Sequence, residues 1–145
     1  MKDLKLQQLF TEQLRDFYGA EVQLAAFFPQ LRDAANNEML KEVLSDHIQM
    51  VEKQIDLLRR VFENLGESAE GEAGPAVQGL LQEGEAMLAD SSPEVRDAAL
   101  IILAQKIHHY EMASYGSLVT LATELGDPQT AELLRVAEPQ AIDIR

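Results

Sequence analysis

Apolar residues return every three or four positions through most of the chain. Leu6, Phe10, Leu14, Phe17, Leu24, Phe28 and Leu31 draw one helical stripe over 6–35. Leu40, Val43, Leu44, Val51, Ile55, Leu58, Val61, Phe62 and Leu65 draw a second, with Asn37 placed to cap it and Gly66 to end it. Pro29 inside the first stripe predicts a kink. The run GESAEGEAG over 66–74 reads as an acidic linker, after which Pro75 opens a short third helix through Leu80, Leu81 and Leu88. Ser91 and Ser92 before Pro93 start a long fourth helix whose stretch 95–125 is apolar nearly all round the wheel. Gly126, Asp127 and Pro128 close it and begin a fifth, which Pro139 kinks or ends. No segment alternates with the period of a strand. The pattern predicts an all-α chain: an antiparallel four-helix bundle with a short crossover helix, one domain over 1–145.

Polar residues that interrupt the apolar stripes carry the candidate chemistry. His108 and Glu111 are three apart in the fourth helix and, at about 100° per residue, project from nearly the same side. Tyr115, Ala104 and Ala122 fall close to them on the wheel, leaving room around two metal-competent groups. Glu21 lies on the line Leu14, Phe17, Leu24, Phe28, and His47 on the line Leu40, Val43, Leu44, Val51, Gln54, Leu58. If the first two helices turn at Asn36, residues whose numbers sum to about 72 stand at equal height, because both helices rise about 1.5 Å per residue. Glu21 then sits opposite Val51, within one turn of His47. An ionised carboxylate inside a bundle is costly unless paired, and inward carboxylates and imidazoles from several helices are how bundles hold iron or manganese. His47 taken alone reads as a satisfied core histidine; the four together predict a site. His109 points about 160° from Glu111 and reads as a packing or hydrogen-bonding residue. Gln54 reads as a hydrogen-bonding support for the site, and Glu52, Glu83 and Glu85 as solvated.

Composition narrows the alternatives. The 145 residues contain no cysteine, which excludes disulfides and thiolate metal sites. A net charge of −13 opposes nucleic-acid and anionic-membrane binding. The amphipathic N-terminus and the lack of a long apolar run predict a cytoplasmic protein without a membrane partner. There is no glycine-rich phosphate loop, no GxSxG turn and no support for a hydrolase triad.

The segments LQQLFTEQLRDFYGAEVQL, GLLQEGEAML and above all VRDAALIILAQKIHHYEMASYGSLVTLATELG make this chain resemble the YciF-type bacterial stress proteins over almost its whole length. The resemblance implies a ferritin-like core, a cytoplasmic homodimer, a link to osmotic, oxidative or general stress, and a di-metal centre. It also implies two further ligands near the C-terminus, Glu138 and Asp143, in a segment that Pro139 interrupts here. Two positions depart from the family pattern. Met50 and His108 stand where glutamates are usual, so one carboxylate is lost and another becomes an imidazole. Fewer carboxylates hold a trivalent pair less well, and a single metal becomes a live alternative.

Two functions follow. One is a metal-binding stress protein with iron or manganese on Glu21, His47, His108 and Glu111, closed by Asp143 and Glu138. The other is a metal-free helical dimer acting as a structural or interaction module. Phe27 and Phe28 are about 100° apart, more than one narrow stripe fully buries, and the fourth helix is apolar on several sides at Leu100, Ile107, Leu118 and Leu125. This surplus predicts a homodimer unless the short third helix and the linker cover it.

Overall fold

Five helices make up the described residues, 4–139, of this computed structural model: α1 (Leu4–Ala34), α2 (Glu38–Leu65), α3 (Pro75–Asp90), α4 (Pro93–Glu124) and α5 (Pro128–Ala137). Among the described residues there is no strand, and no helix is long and apolar enough to cross a membrane. The starts and stops have local causes. Asn37 is in extended conformation and its side chain accepts from Leu40 N–H, capping α2. Gly66 at φ 72 ends α2, a left-handed conformation that costs glycine little. Asp127 accepts from Thr130 N–H and caps α5, which stops at Ala137, two residues before Pro139. The helix α1 continues across Pro29.

Short turns make α1 and α2 one antiparallel hairpin and α4 and α5 another; these four form the bundle, with α3 laid against α1 and α4. Asp97 at the start of α4 ties the hairpins at one end, its carboxylate accepting from Asn36 N–H at 2.7 Å and Asn37 N–H at 2.9 Å. At the other end the Thr130 hydroxyl donates to Asp127 and accepts from Asn64, joining α2 to α5. The linker crosses α1 closely enough that Asp16 accepts from Gly74 N–H and backbone of 71–73 lies against Gly19.

The apolar surplus expected on α1 and α4 is covered within the chain. Phe27 and Phe28 are both buried, as are Leu100, Ile107, Leu118 and Leu125. The cover over Phe27 is α3: a Cβ on Gly84 would fall 2.7 Å from the Phe27 ring and 2.8 Å from Leu103. Burying a phenylalanine is worth roughly 1.5–3 kcal/mol, so the absence of a side chain at Gly84 lets the short helix dock on the bundle.

Candidate metal centre

The inner face of α4 carries His108, Glu111 and Tyr115 at successive turns, and all three are buried in the bundle. Across from them α1 contributes Glu21, at 0% exposure, and α2 contributes His47, at 8%. The α1/α2 hairpin turns where expected, so Glu21 and His47 come to one level. One ligand atom from each of His47, His108 and Glu111 lies within 4.8 Å of the other two. Nε2 of His47 is 2.9 Å from Oε1 of Glu111. That contact is close but not aligned as a hydrogen bond, since both atoms still lack a hydrogen-bond partner. The His47 ring packs on Phe28 with centroids 4.3 Å apart, and the two imidazoles are 6.0 Å apart.

Glu21 forms the second layer. Its Oε2 accepts from the Tyr115 hydroxyl at 3.2 Å, and Tyr115 in turn meets Phe17 edge-on at 4.7 Å. As carboxylates, Glu21 Oε1 and both Glu111 oxygens have no donor. A single proton supplies one: held on Glu21, it is shared with Glu111, which raises the Glu21 pKa and lowers that of Glu111. Burial is the larger cause and pushes both up, Glu21 well above the carboxylate range, with the Glu111 charge adding to it, and Glu111 to about 7. Burial lowers His47 to about 4, against the attraction of Glu21. Burial, then the two carboxylates, pushes the Tyr115 phenol up. Near neutrality the site therefore holds a neutral His47, one carboxyl proton on the Glu21–Glu111 pair, and carboxyl oxygens aimed at each other.

Glu21, His47, His108 and Glu111 are thus the predicted ligands that the fold brings together. Glu138 is not brought into the cluster: it is half-buried at the C-terminus of α5, its carboxylate passing 3.5 Å from where a Cβ on Gly116 would stand. Asp143 lies outside the described residues. Gln54 is buried but serves α5, donating from Nε2 to the Ala137 carbonyl at 2.9 Å. His109 is exposed with Nδ1 on the Gln105 carbonyl, Glu52 and Glu85 are solvated, and Glu83 pairs with Lys106 at the surface. Tyr115 as the donor to Glu21 is the functional contact that residue patterns left undecided. Its spacing of four from Glu111 was the available signal, since it puts the ring over the same face.

The donor set fits one divalent metal ion. Two imidazoles and one carboxylate match sites that leave coordination positions open, and the unpartnered Glu111 oxygens supply the anionic ligand. Among the described residues Met50 adds no carboxylate to the cluster.

Residues 5–144 match the family described as "Domain of unknown function (DUF892)". Protein YciF of Escherichia coli (strain K12) is 37% identical over 144 residues, covering 97% of this chain and 87% of that protein. The crystal structure of the E. coli stress protein YciF superposes with a TM-score of 0.85 at 37% identity, covering 94% of this chain and 86% of that one. YcfI from Rhodopseudomonas palustris, for which a structural role has been suggested, superposes with a TM-score of 0.86 at 36% identity, covering 90% and 84%.

Proposed function

The chain belongs to the DUF892 family and is YciF-like, and from that premise we propose that it is a cytoplasmic stress-protection protein holding one iron or manganese ion in its bundle. The observation that supports this is the convergence of His47, His108 and Glu111 within 4.8 Å in a buried core. His47 and His108 bind as neutral imidazoles, and His47 is already deprotonated at neutral pH because burial disfavours its charge. Glu111 gives up its share of the carboxyl proton and becomes the anionic ligand. Glu21 stays beside it, oriented by the Tyr115 hydroxyl, as an acceptor for that proton or as a fourth ligand. A bound ferrous or manganous ion would supply a redox-active Lewis-acid centre with open positions, the chemistry that consumes oxidants. Loading the protein with ferrous or manganous ion without oxygen, followed by elemental analysis, tests the reading: one ion per chain is expected, and a substoichiometric trace overturns it.

The second reading is a metal-free helical module. Its support is the internal neutralisation of the site, where one proton and the Tyr115 hydroxyl already serve the two buried carboxyls, together with the structural role suggested for YcfI.

A further inference from the structure

On its outer side, the His47 imidazole forms part of the wall of a separate cavity between α1, α2 and α4. The cavity measures about 210 Å³ and is lined by Phe28, Val43, Met50 and Ala104, with exposed Asp46 at its rim. His47 is the one residue of the cluster among its lining, and it keeps 8% exposure while Glu21, His108 and Glu111 have 1% or less. A path from solvent to the cluster therefore runs through this space and ends on an imidazole.

The walls select what can use the path. An aryl ring, aliphatic side chains, a thioether and an alanine methyl offer no replacement for the hydration shell of an ion, and Asp46 repels anions at the mouth. Hydrogen peroxide would lose most of its hydrogen bonds to water, since only the imidazole and Asp46 can return any. A small apolar molecule gives up no hydrogen bonds on entering and gains contact with the apolar wall. Ala104, one turn before His108, leaves room on the α4 side, and a larger residue there would narrow the space.

We propose that this cavity is a dioxygen-binding and access site for the His47 edge of the cluster. The inference rests on the metal-site reading for what the gas meets, but not for its arrival there.

The test uses metal-free protein and dissolved dioxygen as a paramagnetic probe in NMR. Ring protons of His47 and the Met50 methyl should relax several-fold faster under oxygen than the methyls of comparably exposed Ile55, at 7%, and half-buried Leu57. A charged, water-soluble paramagnetic agent should not reproduce that ranking. Ala104→Leu should return both residues to the level of Ile55 and Leu57, and Val43→Phe, at the half-buried mouth, keeps the test open if the first variant unfolds. Equal relaxation at His47, Met50, Ile55 and Leu57 would overturn the proposal, as would enhancement unchanged in a folded filled variant. Preferential oxygen contact in a protein that binds no metal would uphold the access site and sink the metal reading, so the two fail separately.

Discussion

Replacing Glu111 by glutamine should change how stability depends on pH more than it changes stability at any one pH. In the metal-free folded protein burial raises Glu111 from 4.5 to about 7. A raised carboxyl pKa contributes stability that is fully present below pH 4.5 and is lost as pH rises through about 7. With those two values the contribution falls by about 2–3 kcal/mol between pH 5 and pH 8, at about 1.36 kcal/mol per pKa unit. His47 acts in the opposite sense, because its folded pKa near 4 lies below the ordinary 6.5 and its contribution is lost as pH falls through that window. His47 and Glu21 are present in both proteins, and burial, the largest cause of each shift, acts in both. Glu111→Gln cannot titrate, so in chelator the wild-type stability minus the variant's should drop by about 2–3 kcal/mol from pH 5 to 8, whatever the constant cost of the amide. For 145 residues at about 2.1 cal/mol/K each that is about 8 °C in relative melting temperature. Urea denaturation across pH 5 to 8 measures it. Parallel pH profiles for the two proteins would refute the buried, proton-sharing carboxyl pair.

Below pH 7, where Glu111 takes up a proton of its own beside the one on Glu21, binding of manganous ion should release that proton and weaken about tenfold per pH unit, while His47 offers none to displace. Calorimetric titration in buffers of different ionisation enthalpy counts the protons released, and an affinity constant from pH 6 to 8 contradicts the assignment. Gly19→Ala should destabilise despite the ~1 kcal/mol alanine gains in helix propensity, because its Cβ would sit 2.7–2.8 Å from the backbone of 71–73. Overpacking of this kind costs about 1–3 kcal/mol, and a raised melting temperature would argue that the linker does not dock there. A homodimer remains the expected assembly on family resemblance; light scattering should give about twice 16.1 kDa, and a mass near 16.1 kDa at micromolar concentration refutes it.

Much of the fold was legible because its punctuation is chemical. Asn37, Gly66, Pro75, Pro93 and Pro128 mark helix ends for reasons of capping, left-handed backbone and missing N–H groups, and all of these operate within a few residues. Phe27 was not legible, because its burial depends on Gly84 being absent of side chain 57 positions away and in contact only after α3 docks. Helical periodicity reports which face of one helix is apolar, not how wide a partner covers it, so a surplus stripe reads equally as a dimer surface or as a seat for a short helix.

The same distinction separates the site residues. Glu21 and His47 each break an apolar line on a helix longer than 25 residues, and one hairpin turn sets their register; His108 and Glu111 stand out instead as polar residues on a helix that is apolar nearly all round. Glu138 came from resemblance, on a helix of 10 residues whose end is fixed by Pro139 and by Gln54 holding the Ala137 carbonyl. That anchor spends Gln54 on α5 and leaves the Glu138 side chain over Gly116. The three ligand atoms that do converge come from α2, which has a clear apolar face, and from α4, which is apolar nearly all round and whose inner side is marked only by its polar residues. With Met50 apolar and Glu138 turned aside, the negative charge beside the imidazoles is, among the described residues, that of Glu21 and Glu111. Together with the shared proton, that charge favours one divalent ion over a trivalent pair.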